Sequence, residues 1–96
     1  MTRTETRHYP GYTMVLDTET VRTYAVVLDP SQVMLDWYIV ADDLTVDYYR
    51  GRLDYEMTYG HRPAGCTVVA AELTEVELWD FHEAAKVARR KARGLA

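Results

Sequence analysis

The chain has 96 residues and one cysteine, Cys66, so no intrachain disulfide can form. It has no apolar run near the roughly 20 residues needed to cross a bilayer. Its opening, MTRTETRHYP, lacks the apolar h-region of a secretory leader, and a cytoplasmic protein is expected. No glycine-rich phosphate loop occurs, and there is no internal repeat and no low-complexity tract. His82-Glu83-Ala84-Ala85-Lys86 falls short of the zinc-protease HExxH, because Lys86 stands where the second ligand is required. Asp42, Asp43 and Asp47 lack the regular oxygen spacing and the turn glycine of a calcium loop. His61 and Cys66 flank a short loop, but nothing in GHRPAGC orients them as a nucleophile and its base. Cys66 reads as a buried small hydrophobe. No metal, no cofactor and no enzymatic activity are expected.

Phenylalanine is nearly absent too, with one Phe against eight Tyr and two Trp. A tyrosine ring can be buried while its hydroxyl stays wet. Such a chain has a thin core whose edges reach solvent, or it offers tyrosine to a partner. The net charge of −4 hides an asymmetry. Residues 17–83 carry fourteen acidic side chains and four basic ones, a balance of −10. Residues 84–96 carry five basic side chains and no acid, and residues 1–16 add +1.

The length suits one domain spanning 1–96. Residues 1–10, with alternation over Thr2 to Tyr9, read as an edge strand or a loose arm. Pro10-Gly11 signals a turn. Tyr12 to Leu16 and Val21 to Leu28 read as strands, and together they suggest a hairpin. Asp29-Pro30-Ser31-Gln32 fits a type I turn, and it equally fits a helix start with Asp29 as N-cap. The apolar run that follows, Val33 to Ala41, fits both periods, and the strand is the preferred reading. Asp42-Asp43 is a turn. Leu44 to Tyr48 and Leu53 to Tyr59 alternate with a period of two, so strands joined at Arg50-Gly51-Arg52 are expected. A helix there would carry Gly51 in its interior, at about 1 kcal/mol. Cys66 to Ala71 is a further short strand.

The clearest element is a C-terminal helix over 74–94. Thr74-Glu75-Val76-Glu77 forms a capping box, and Leu78, Phe81, Ala85, Ala88 and Ala92 make one stripe. Acids lie at its start and bases at its end, as the helix dipole favours. Gly94 suits the stop. The expected fold class is α+β: an antiparallel sheet of about four to six short strands, with this helix packed on one face through Leu78, Phe81, Ala85 and Ala88. Open sheet edges make a homodimer plausible, by edge pairing or by helix packing.

Two functional readings follow. In the first, Asp42, Asp43, Asp47, Tyr48, Asp54, Tyr55, Glu56, Glu72, Glu75, Glu77 and Asp80 form an acidic, tyrosine-bearing surface. Carboxylates in rows imitate the phosphate field of a nucleic acid and would occupy a basic groove on a partner protein. Acidity that serves only solubility is the plainer alternative. In the second reading, Arg89, Arg90, Lys91 and Arg93 grip nucleic acid directly, although a dipole-matched helix end would look the same. In size, lack of catalytic apparatus and Asp/Glu/Tyr surface, the chain is similar in general character to the small inhibitors phages direct against host defence nucleases, such as anti-CRISPR proteins. The likeness is one of composition, without a shared motif. It implies an inhibitor or decoy.

Overall fold

The computed structural model describes residues 3–40 and 42–94. Thr2 and Ala41, which belong to expected strands, lie outside the described residues. Five antiparallel strands form two sheets, accompanied by two helices. The fold class is α+β.

β1 (Thr4–Tyr9) and β2 (Tyr12–Asp17) make a hairpin around Pro10-Gly11, with Tyr9 opposite Tyr12 and Thr4 opposite Asp17. The expected hairpin between residues 12–16 and 21–28 does not form, because β2 turns away from the next strand. The Asp17 carboxylate accepts hydrogen bonds from the amides of Glu19 (2.7 Å) and Thr20 (3.0 Å), which makes the connection a tight polar turn. β3 (Arg22–Leu28) instead sits at the centre of a three-stranded sheet, between β4 (Met34–Ile39) and β5 (Thr67–Leu73).

The Asp29–Gln32 ambiguity resolves as a turn. The Gln32 amide donates to the Asp29 carbonyl (2.9 Å) and the Asp29 amide to that of Val33 (2.9 Å). Gln32 takes φ 66°, as the last residue of a three-residue hairpin loop requires. Gly65 lies against this loop with φ 89°. A Cβ on Gly65 would stand 3.1 Å from the Pro30 ring.

Residues 44–59 are not strands. They form helix α1 (Leu44–Thr58), and Arg50-Gly51-Arg52 lies inside it rather than at a hairpin turn. The Asp42 carboxylate accepts from the Leu44 amide (2.9 Å) and secures the first turn. Helix α2 (Glu75–Ala92) starts at the capping box of Thr74 and Glu77. It stops at Arg93, followed by Gly94 with φ 74°.

The helices lie on opposite faces of the three-stranded sheet. On one face Tyr24, Val26 and Met34 pack with Leu78 and Ala85 of α2. On the other, Ala25, Val27, Cys66 and Val68 pack with Leu53 of α1, flanked by Tyr38, Val46, Tyr49 and Met57. β3 is therefore buried on both faces, which explains its unbroken run Tyr-Ala-Val-Val. Of the expected α2 contacts, Leu78 and Ala85 are buried, whereas Phe81 is 55% exposed. The hairpin docks on α2 through Leu16, which is 2% exposed. Polar ties run from Arg7 to Asp80 (2.7 Å) and from the Tyr9 hydroxyl to Glu83.

Candidate functional site

A helix turns 100° per residue, so residues 44, 47, 48, 51, 54, 55, 58 and 59 share one side of α1 and its end. That side faces solvent. Leu44, Tyr48, Tyr55 and Tyr59 are each more than 60% exposed. Asp47 and Asp54 stand among them, both exposed. Val46, Tyr49, Leu53 and Met57 take the opposite side and reach the sheet. Tyr55 and Tyr59 lie with ring centroids 4.6 Å apart. Tyr48 meets Tyr49 edge-on at 5.0 Å, and Tyr49 stacks on Tyr38 at 3.8 Å. The Tyr48 ring is thus supported from beneath, while Tyr55 and Tyr59 brace each other.

At the start of α1 the surface continues into Asp42 and Asp43. A shallow cleft there is lined by Arg22, Ile39, Asp42 and Asp43, and Ile39 is 62% exposed. Asp47 pairs loosely with Arg50 (3.4 Å), with both side chains mostly in water. Such a pair contributes little to stability. The cluster therefore joins large apolar groups to Asp43, Asp47 and Asp54, carboxylates that the fold barely uses, and to Asp42, which also holds the first turn of α1.

Glu56 has a different position. It sits on the flank of α1, accepting from Arg62 Nε (2.7 Å) and Arg52 Nε (3.1 Å). Arg62 also reaches Asp36 (3.4 Å), whose carboxylate accepts from the Tyr38 hydroxyl (2.9 Å). The Arg62 hydrogen bond holds the Glu56 carboxyl below its ordinary range, against a smaller opposing effect of burial. Glu56 holds Arg62 of the loop after α1, and Arg62 in turn ties that loop to β4.

The remaining acids lie apart from the α1 surface. Glu72 is exposed on β5. Glu75 accepts from the Asp17 amide (3.4 Å), Glu77 completes the capping box, and Asp80 binds Arg7. These last three belong to α2, across the sheet from α1. The acidic start of α2 is therefore not continuous with the acids of 42–59. In the basic tail, Arg89 donates to the Met34 carbonyl (3.2 Å), while Arg90, Lys91 and Arg93 are exposed.

Three features escaped the sequence. Tyr59, Leu44 and Ile39 belong to the exposed cluster; the 4-7-4 spacing of residues 44, 48, 55 and 59 is their helical signature. His82 packs edge-on against Trp37 (5.1 Å) and Trp79 (4.9 Å). Between α2 and the sheet runs an open apolar groove of about 450 Å³. Val69, Ala71 and Leu73 of β5 form its floor, and Phe81, Ala84 and Ala88 its wall. It exists because alanines on α2 are too short to fill the space above β5.

Cys66 is buried in the α1-side core, and His61 is exposed beyond the end of α1. Among the described residues, no three His, Cys, Asp or Glu side chains gather as metal ligands, and no helix is long and apolar enough to cross a membrane. Comparison with known protein families, curated proteins and solved structures finds no match to this chain.

Proposed function

We propose that this protein is a small, non-enzymatic binding module. It lays the outer side of α1 into a basic groove on a partner protein, such as the nucleic-acid channel of an enzyme. In that role it is an inhibitor or decoy, of the kind phages use against defence nucleases. The observation that carries this reading is the exposed stripe Leu44, Tyr48, Tyr55 and Tyr59, interleaved with Asp47 and Asp54. Large exposed rings at helical spacing are the anchors of helix-in-groove recognition, and tyrosine supplies contact area at low entropic cost. Asp42, Asp43, Asp47 and Asp54 would steer the encounter with a basic surface and set its salt dependence. Glu56, Glu75, Glu77 and Asp80 have structural partners and are assigned no contact with the ligand.

The test is capture with folded variants. Immobilised wild type should retain a basic, nucleic-acid-binding protein, and heparin should compete. Asp47→Lys with Asp54→Lys should lose it, and Tyr55→Ala should weaken it by about 2 kcal/mol, as a hot-spot anchor does. Arg90→Ala with Arg93→Ala should change nothing. Capture indifferent to the α1 variants would sink the proposal. Direct retention of DNA that depends on Arg90 and Arg93 would favour the basic tail instead.

A further inference from the structure

A second surface of the molecule is a sheet edge guarded at one point, the Val68 carbonyl, which accepts from Arg50. The sheet order β4-β3-β5 leaves the outer edge of β5 open. Edges in monomeric proteins are commonly blunted by proline, by a bulge or by charged side chains. β5 has none of the first two and a single charge: its sequence is TVVAAEL, and its register with β3 runs unbroken over all seven residues. The other edges differ. β4 is bulged where it meets Val27 and Leu28, and it carries the ion-paired Asp36. β1 carries Glu5 and Arg7, and the Asp17 amide of β2 donates to Glu75.

We infer that β5 pairs antiparallel with β5 of a second copy of this chain, about a two-fold axis at Ala70. The symmetry is self-consistent. Residues whose numbers sum to 140 face one another, so Thr67 meets the partner's Leu73, Val68 the partner's Glu72, and Val69 the partner's Ala71. Each pair keeps to one face of the sheet, as antiparallel pairing requires. Val69 and Ala71, which with Leu73 floor the apolar groove, meet each other's counterparts on the α2 side. The two grooves then run together, and Val69 and Phe81, 38% and 55% exposed, lose water.

Charge supports the same register. Arg50 of α1 donates through Nε to the Val68 carbonyl (3.3 Å) and pairs loosely with Asp47 (3.4 Å). The partner's Glu72 arrives opposite Val68, beside that guanidinium, and draws it off the Val68 carbonyl, which is then free to accept from the partner's Glu72 amide. The twofold axis forms this ion pair twice, and the two Glu72 carboxylates stay four residues out of register. Stable interfaces bury about 1,200 Å² or more in total, which a short strand pair needs help to reach. The groove walls supply the added apolar area. The product is a six-stranded sheet, β4-β3-β5-β5-β3-β4, with both α1 helices on one face and both α2 helices on the other. The α1 tyrosines stay free, so this contact and the binding role of α1 stand or fall separately.

Sedimentation velocity on the full chain should give a dimer at tens of micromolar. Val69→Lys places a charge on the edge at a partly exposed position; it should raise the dissociation constant at least tenfold with an unchanged circular dichroism spectrum. Arg50→Glu should weaken the dimer several-fold, and adding Glu72→Arg should restore it. Ala70→Cys, which lies on the axis, should be cross-linked by a short bismaleimide, whereas Glu72→Cys and the wild type with its buried Cys66 should not. A monomeric wild type without cross-linking at residue 70 would overturn the inference. So would a dimer that ignores both Val69→Lys and Arg50→Glu.

Discussion

His82 shows how one side chain can report on packing. Its ring packs edge-on against two indoles that also meet each other, and burial, reinforced by Lys86 and Arg89, pushes its pKa below the ordinary imidazole value of 6.5. A depressed folded pKa means that the fold prefers the neutral ring. Its contribution is complete above the unfolded value and fades as pH falls through the lower folded one. Proton NMR should place the His82 midpoint below 6.5, with a change in tryptophan fluorescence at the same pH. A midpoint at or above 6.5 would contradict the packing of the ring. Glu56 obeys the same sign. Its carboxyl is held low by Arg62, so the stability it supplies falls away in acid below the ordinary carboxylate range. Glu56→Gln keeps the shape and removes the charge; about 1–2 kcal/mol should be lost in urea unfolding at neutral pH, less in acid. Glu56 looked like its neighbours in the sequence because type and spacing alone do not reveal a partner. Arg62 lies six residues away, past the end of a helix that the alternation concealed.

At the scale of elements, α2 was legible and α1 was not. In α2 each local signal agrees: capping box, apolar stripe, charge order and terminal glycine. In α1 the signals cancel. Leu53 and Met57 face the core while Leu44, Tyr48, Tyr55 and Tyr59 face water, so apolar residues occupy both sides and no amphipathic period survives. The same exposed tyrosines that suggest a binding role created the false alternation over 53–59. Gly51 strengthened the wrong reading, since it marks a turn in a strand pair and is merely tolerated in a helix. It is exposed, and a Cβ there meets no atom within 4 Å. Gly51→Ala should therefore stabilise the protein by about 0.5–1 kcal/mol, seen as a rise in Tm of several degrees. Destabilisation would argue against the helix. Thr74→Ala should act oppositely, costing about 1 kcal/mol through lost capping. The run that became β4 fitted both periods and was a strand only by preference, whereas the strand β3 was readable from its β-branched and aromatic density. Their pairing was not, because composition does not say whether the turn at Asp17 returns a strand or releases it.

The whole molecule is a flat plate, 44 × 39 × 20 Å, with a radius of gyration of 15.1 Å. A compact chain of this length would have about 12–13 Å. The excess comes from layering. Sheet and helices form one body, and the β1–β2 hairpin rides on α2 through Leu16 and a few polar ties. Amide exchange should rank accordingly, with β3 slowest and β1 among the fastest of the strands. Equal protection of β1 and β3 would mean the hairpin is integral to the core. At this scale the sequence supplied the right class and the wrong map of charge. Fourteen acids between residues 17 and 83 suggested one acidic face, but the sheet separates those of α1 from those of α2.

The double burial of β3 also has a consequence in time. The most apolar strand leaves the ribosome before the elements that cover it, and β4 can close one of its edges within a few residues. Its other edge must wait for Thr67 to Leu73, and one of its faces for α2, which follows β5. Until β5 and α2 have been synthesised, Tyr24 to Val27 stay open to water and to other chains, with the long loop between β3 and β5 still to be closed. A growing chain of this protein is therefore most prone to aggregate in the interval after β4 and before β5, and stalling translation there should expose a hydrophobic strand that a chaperone can bind.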